Sequence, residues 1–157
     1  MKKIVSLCLF FFLLQNCGYM PIYEKNRKVN FYIETITFNN GDRDLSTYIK
    51  RNLNNYLIKN DSKKFNIDTK IKYSKDSISN NASGQTDEYQ LSTRIIFIIK
   101  DEEEQLELGT FEFTETYTMN NFNDEFEEKR YEKTLKENMA QSITSKLLIR
   151  LSRINDN

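Results

Sequence analysis

A long apolar stripe near the C-terminus sets the strongest limit on the fold. Apolar residues recur there at steps of four, in the order Tyr131, Leu135, Met139, Ile143, Leu147 and Leu151, and this is the spacing of one helix face. Acidic residues crowd the start of the segment and basic residues its end, which suits the dipole of a helix from Asp124 to about Ile154. Such a helix is ~45 Å long, and its stripe must be buried against another layer.

Alternating segments supply that second layer. We predict a first strand at Val29–Phe38 that either has a bulge or is covered on both faces. A half-buried strand at Phe65–Tyr73, a third at Asp87–Lys100 and a fourth at Leu106–Tyr117 follow. In the fourth strand Gly109 marks a change of phase and predicts a bulge. Arg43–Lys59 has a helical period instead and predicts the first helix. The Ser- and Asn-rich stretch 74–83 is expected to be a loop.

The order β-α-β-β-β-α predicts an α+β fold, a two-layer sandwich in which a mixed four-stranded sheet carries two helices on one face. Residues 29–157 would form this single domain. Five β-forming residues stand in a row at 95–99, so both faces of the third strand need cover. Because the helices cover only one face, Ile96 and Ile98 would point to the other, and we expect them to contact a partner.

Composition excludes several classes of function. The chain has 23 Lys+Arg, 23 Asp+Glu and no His, so Ser-His-Asp and Cys-His catalysis and imidazole metal ligation are excluded. A net charge of zero gives no footprint for nucleic acid. The acidic stretches 101–104 and 124–128 fit a turn and a helix start better than a carboxylate pair for glycoside hydrolysis, and no calcium-loop pattern is present. No cofactor or metal site is expected.

The N-terminus has the pattern of a lipoprotein signal. Lys2 and Lys3 precede an apolar run that is too short to span a bilayer, and Cys17 stands at its end. We predict a signal peptide at 1–16 that is removed, acylation of Cys17, and a lipid anchor and tether at 17–28. An ordinary signal peptide with an incidental Cys is the alternative, because Asn16 is larger than the usual residue before a lipidated Cys. Removal leaves 21 basic and 23 acidic residues.

A second candidate site is cationic. Lys70 and Lys72 share one parity of the second strand, and Arg94 has the matching parity on the third. If the register brings them together, they could bind phosphate groups or sugar acids. A solvated sheet face with mixed charge is the competing interpretation.

Two stretches resemble one family, the LptE lipopolysaccharide-assembly lipoproteins of the alphaproteobacterial type. Residues 17–23, Cys-Gly-Tyr-Met-Pro-Ile-Tyr, are similar to the Cys-Gly-Phe-x-Pro-Leu-Tyr opening of that family. A second stretch matches the Gly-Gln-Thr-x-Glu-Tyr-Gln motif that leads into the third strand of the family. It comprises Gly84, Gln85, Thr86, Asp87, Glu88, Tyr89 and Gln90. In enterobacterial members an Arg stands just before this motif, whereas Ala82 and Ser83 stand there in this chain.

The resemblance implies a non-enzymatic lipoprotein on the periplasmic side of the cell outer membrane. It would be anchored in the membrane through its N-terminal lipid, would plug the LptD β-barrel and assist its assembly, and would help to deliver lipopolysaccharide. A periplasmic lipid-binding lipoprotein that acts without an obligate barrel is the alternative function. A carboxylate-based hydrolase of cell-wall glycan is a third hypothesis.

Overall fold

The computed structural model describes residues 31–57, 63–101, 103 and 106–155. The elements follow the predicted order β-α-β-β-β-α: β1 Phe31–Phe38, α1 Arg43–Leu53, β2 Lys63–Asn80, β3 Thr86–Asp101, β4 Glu107–Asn120 and α2 Glu125–Asn155. A short 3₁₀ turn at Asn54–Tyr56 follows α1. The predicted signal peptide, the acylated Cys17 and the tether lie outside the described residues.

The four strands form one mixed sheet in the order β1-β2-β3-β4. Strand β1 is parallel to β2, while β2–β3 and β3–β4 are antiparallel pairs. Helix α1 connects the parallel strands, as such a crossover requires, and a short turn at 81–85 joins β2 to β3. The predicted α+β fold with a mixed four-stranded sheet is therefore confirmed.

The core lies between one face of the sheet and the two helices. Residues of one parity on the central strands are buried, among them Phe65, Ile95, Phe97 and Ile99. From the long helix, Leu135, Met139, Ile143, Leu147 and Leu151 are buried at the predicted steps of four. Leu45, Ile49 and Leu53 of α1 are buried in the same core, so both helices pack on the same face of the sheet.

Asp42 and Asp124 start the two helices in the usual way, with a side-chain oxygen accepting backbone N–H bonds. The Asp42 carboxylate accepts from the amide of Leu45 at 3.0 Å. The Asp124 carboxylate accepts from the amides of Phe126 at 2.7 Å and Glu127 at 3.3 Å. The acidic residues at the second helix start thus serve capping and the helix dipole.

Of the two alternatives for the first strand, the structure has the bulge, and the bulge predicted in the fourth strand is also present. The β1–β2 register shifts between Ile33 and Thr35, so the residues before and after this point can both direct apolar side chains to the core. The β3–β4 register shifts beside Gly109, where Ile99 pairs with Gly109 and Lys100 pairs with Glu107.

Three expectations about local structure were wrong. The stretch 74–83 is not a loop, because β2 continues to Asn80 and pairs with β3 as far as Thr86. Helix α1 ends at Leu53, where a 3₁₀ turn begins, and so is shorter than predicted. The predicted end, Lys59, lies outside the described residues. Tyr131, placed on the buried stripe, is 44% exposed and packs beside Phe122 with ring centroids 5.4 Å apart.

Neither helix in the described part of the chain combines the length and the apolar character needed to cross a membrane.

Candidate interaction surface

The face of the sheet opposite the helices carries the candidate site, and we call it the open sheet face. Its members come from alternate positions of three strands: Asp68, Lys70 and Lys72 of β2, Arg94, Ile96 and Ile98 of β3, and Thr110, Glu112 and Thr114 of β4. Their chain neighbours Ile95, Phe97 and Ile99 are 0% exposed on the helix side. The opposite parity therefore faces away from the helices.

Ile96 and Ile98 lie in the middle of the open sheet face, as predicted. Register places Ile96 between Lys70 and Glu112, and Ile98 between Asp68 and Thr110. Both isoleucines are partly buried, because these flanking side chains cover their edges. They form a small apolar centre within a polar surface.

The predicted cations also meet on this face. Lys72 pairs directly with Arg94 across the β2–β3 ladder, and Lys70 is the partner of Ile96. Arg94 also lies 3.3 Å from Glu112, through its Nε and the Oε1 of the carboxylate. Like charges directly opposite each other on a sheet, such as Lys72 and Arg94, repel. The three cations have one carboxylate, Glu112, among them, so this part of the face has an excess of positive charge. A bound anion would balance that excess.

A second ion pair closes one end of the same face. Lys100 Nζ donates to Asp68 Oδ2 at 2.7 Å, and the hydroxyl of Thr37 donates to the other oxygen of Asp68. These two hydrogen bonds lower the pKa of Asp68. The carboxylate is therefore satisfied within the protein, and the uncompensated charge stays near Lys70 and Lys72.

The first part of the family motif builds the β2–β3 hairpin turn. Gly84 has a φ of +80°, a conformation that favours glycine. The side-chain oxygen of Asn81 accepts from the amides of Ser83 at 3.0 Å and Gln85 at 2.9 Å. The backbone N–H of Asn81 donates to the carbonyl of Gln85 at 2.8 Å, and the N–H of Gly84 donates to the carbonyl of Asn81 at 2.9 Å. Gly84 and Gln85 thus have structural roles in this turn.

The second part of the motif ties the turn to the rest of the sheet. The carbonyl of Thr86 accepts from the Asn121 side chain at 2.7 Å, and Glu88 pairs with Asn120. Tyr89 packs against the core, and the ammonium of Lys75 lies 4.4 Å from the centre of its ring. Gln90 is exposed.

An ion network that the sequence did not reveal joins both helices to β2. Lys136 Nζ lies 2.7 Å from Asp42 Oδ2 and 3.1 Å from Glu132 Oε1. Glu132 also accepts from the Tyr73 hydroxyl at 2.9 Å and from Lys75 at 3.1 Å. Asp42 and Lys136 are 94 residues apart, so no local pattern could have indicated this contact.

Burial and hydrogen bonding oppose each other in this network. Burial alone would lower the pKa of Lys136, but its bonds to Asp42 and Glu132 outweigh burial and raise it. Burial would likewise raise the pKa of Glu132, and the bonds from Lys136, Tyr73 and Lys75 outweigh burial and lower it. Both groups are therefore charged at neutral pH, and they hold elements together rather than form an open site.

A shallow groove of about 470 Å³ runs beside β4 on the helix side. Hydroxyl and amide side chains of α2 line it, together with Tyr117, Lys146 and Ile149. Lys146 forms an ion pair with Glu115 of β4. In the described part of the chain, no cluster of three or more His, Cys, Asp or Glu residues is arranged to hold a metal ion. Two apolar side chains of α2 are largely exposed, Phe126 at 71% and Ile149 of the groove at 54%.

Solved bacterial lipoproteins share this architecture. Rare lipoprotein B from Shewanella oneidensis superposes with a TM-score of 0.53 at 15% identity, over 76% of this chain and 94% of that one. A minor lipoprotein from Acinetobacter baumannii gives 0.56 at 16% identity, over 78% and 94%. Lipoprotein B from Nitrosomonas europaea gives 0.58 at 17% identity, over 81% and 88%. At these identities the likeness establishes the fold.

The family itself follows from the sequence. The model of the LptE family, described as lipopolysaccharide-assembly, matches residues 29–151. This match covers most of the chain and the whole of the sheet, so the protein belongs to the LptE family. No curated protein matches the chain significantly.

Proposed function

We propose that this protein is a lipid-anchored, non-catalytic lipoprotein on the periplasmic side of the outer membrane, where it plugs the LptD β-barrel and assists its assembly in lipopolysaccharide transport. Membership of the LptE family over residues 29–151 is the observation that carries the proposal. The Cys17-Gly18 pair at the end of the apolar N-terminal run supports the anchor.

An anchor at Cys17 would attach the domain to the membrane through the start of β1. Phe31, the first described residue, pairs with Lys63 at the start of β2. The 18 residues of β2 then extend ~60 Å to the hairpin turn. The turn that contains Gly84 therefore lies at the opposite end of the sheet from the residue through which the anchor joins the domain.

The open sheet face is our candidate for partner contact. Ile96 and Ile98 offer an apolar centre that a protein wall could bury. Lys70, Lys72 and Arg94 beside them offer charge for the phosphate groups of lipopolysaccharide. A contact that covers the isoleucines would also bring an anionic group within reach of the cations.

The anchor is tested by fractionation. Replacement Cys17→Ala removes the thiol that would be acylated, so we expect the protein to move from the membrane pellet to the soluble fraction. If the Cys17→Ala protein still pellets like the wild type, the lipid anchor is refuted.

Charged substitutions on the open sheet face test whether it is the contact surface. Ile96→Asp and Ile98→Asp place a carboxylate in the apolar centre and should abolish association with the barrel. Ile149→Asp is the matched control, because Ile149 is 54% exposed on α2 and lies away from the open sheet face. Circular dichroism checks that all three variants fold. Association that survives both open-face changes would exclude this surface as the barrel contact.

A lipid-binding lipoprotein without an obligate barrel is the second candidate, and the excess of cations on the open sheet face favours it. Purified full chain would then bind lipopolysaccharide vesicles, and Lys72→Gln with Arg94→Gln would weaken that binding. Stoichiometric lipid binding with no barrel recovered from outer membranes would support this candidate over the plug.

A further inference from the structure

We propose that Asn40 is a site of spontaneous covalent modification, at which the backbone nitrogen of Gly41 attacks the Asn40 side chain and converts it to aspartate and isoaspartate. This inference goes beyond the proposed function, because it concerns the turn between β1 and α1 rather than the open sheet face. It requires neither the lipid anchor nor a barrel partner.

The sequence offers this chemistry at one position. Asn40 is the one asparagine of the chain that is followed by glycine. Because glycine has no Cβ, its backbone nitrogen can approach the side-chain carbonyl carbon of the preceding asparagine without steric hindrance. Every other asparagine with a following residue precedes one that has a side chain, and that side chain obstructs the same approach.

The structure leaves both reacting residues accessible. Asn40 and Gly41 are exposed, and Asn40 has a φ of +60°, which is the left-handed conformation. Among the residues that the structure describes, neither of the two makes a hydrogen bond through its backbone or side chain. Rotation of the Gly41 nitrogen toward the Asn40 side chain therefore breaks no hydrogen bond of either residue.

The chain on either side of the pair is held. The amide of Asn39 donates to the carbonyl of Thr69 at 2.9 Å. On the other side, the Asp42 carboxylate accepts from the amide of Leu45 at 3.0 Å. The reaction is thus confined to the two residues between these bonds, and the rest of the domain can stay folded while it proceeds.

The atoms balance with water as the co-reactant. Hydroxide takes the proton of the Gly41 nitrogen, this nitrogen bonds to Cγ of Asn40, and the Cγ–Nδ2 bond breaks. The departing nitrogen takes a proton from water and leaves as ammonia, which regenerates hydroxide. Water then opens the succinimide ring: cleavage of the new N–Cγ bond gives aspartate, and cleavage of the original peptide bond gives isoaspartate.

The isoaspartate product should weaken the start of α1. In that product the backbone runs through Cβ and Cγ of residue 40, so it is longer by one methylene directly before Gly41. Gly41 packs closely on β2, where an added Cβ would lie 2.7 Å from Ile71. Asp42, the next residue, lies 2.7 Å from the buried ammonium of Lys136. A longer backbone displaces at least one of these contacts.

The test is incubation of the purified full chain, folded and in mild detergent, at mildly alkaline pH. Peptide mapping by mass spectrometry follows the gain of about 1 Da that accompanies conversion of an amide to a carboxyl group. We expect Asn40 to convert at least about tenfold faster than Asn55 or Asn81. Asn55 is exposed but precedes tyrosine, and the Asn81 side chain is held by hydrogen bonds in its turn.

Two results would overturn the proposal at this stage. One is conversion of Asn40 that is no faster than conversion of Asn55 or Asn81. The other comes from a synthetic peptide of residues 36–46, which serves as the unfolded reference. We expect the rate in the folded chain to lie within about tenfold of the rate in the peptide. A slower rate would show that the fold protects Asn40.

Two variants separate the lesion from its charge. Asn40→Gly removes the reacting carbonyl and suits a positive φ, so its urea midpoint should stay constant through the incubation. Asn40→Asp has the charge of the aspartate product without the longer backbone and should unfold near the wild-type midpoint. The isoaspartate form of the wild type, separated by chromatography, should unfold at lower urea than both. An unchanged midpoint for that form, or an equal decline in Asn40→Gly, would refute the proposal.

Discussion

Replacement of Lys136 by Met should destabilise the protein far more than loss of a surface ion pair. The Lys136 side chain is only 9% exposed. Its ammonium contacts Asp42 at 2.7 Å and Glu132 at 3.1 Å, and it lies 4.2 Å from the ring centre of Tyr73. One side chain therefore joins the start of α1, the long helix α2 and strand β2.

The expected magnitude follows from what the substitution leaves behind. Removal of one partner from a fully buried ion pair costs about 3–5 kcal/mol, because an uncompensated charge stays buried. Asp42 and Glu132 keep 17% and 18% side-chain exposure, so water can partly solvate them. We therefore expect a loss of about 2–3 kcal/mol in the free energy of unfolding. Met preserves most of the side-chain volume, so a cavity contributes little.

Urea unfolding at pH 7 measures this loss, and the chain offers a matched control. Arg51 and Glu137 also form an ion pair between α1 and α2, but their side chains are 56% and 47% exposed. Arg51→Met should change stability by at most about 1 kcal/mol. A loss below 1 kcal/mol for Lys136→Met, or equal losses for the two variants, would refute the reasoning.

Three further predictions concern stability. The pKa of Glu132 is lowered in the folded protein. Its stabilising contribution is therefore fully present above its unfolded pKa of about 4.3 and is lost as the pH falls through its folded pKa. Glu132→Gln should reduce the loss of stability at acid pH, which urea unfolding at a series of pH values measures. Gly41→Ala should cost about 2–4 kcal/mol, since its φ is +132° and a Cβ would lie 2.7 Å from Ile71, whereas Gly84→Ala meets no atom within 4 Å and should cost about 1 kcal/mol; equal losses in thermal unfolding would contradict this contrast. Leu147→Ala removes a fully buried side chain and should cost about 2–5 kcal/mol, which chemical unfolding measures.

Periodicity predicted the fold because each layer has only one buried face. The four-residue stripe from Leu135 to Leu151 and the alternation of Phe65 and Ile67 both follow directly from burial. Parity alone also placed Ile96 and Ile98 on the face away from the helices. These features depend only on the spacing of apolar residues along the chain, so the sequence alone was sufficient to predict them.

Local sequence failed where tertiary pairing decides the structure. The stretch 74–80 is rich in Ser, Asp and Asn and has weak strand propensity, yet pairing with β3 keeps it in the sheet. Tyr131 fits the stripe by spacing, but it lies near the exposed start of the helix beside Phe122. The meeting of Lys72 with Arg94 required the exact register, and the Lys136 network required contacts across 94 residues.

The most direct test of the central claim is crosslinking from position 96 in native outer membranes. A photoreactive amino acid replaces Ile96 in the full-length chain, and the crosslinked product is purified and identified by mass spectrometry. The proposed role as a plug predicts that one large outer-membrane β-barrel protein is captured. Recovery of lipid adducts alone, or of no barrel protein from a chain that is folded and in the membrane, would contradict it.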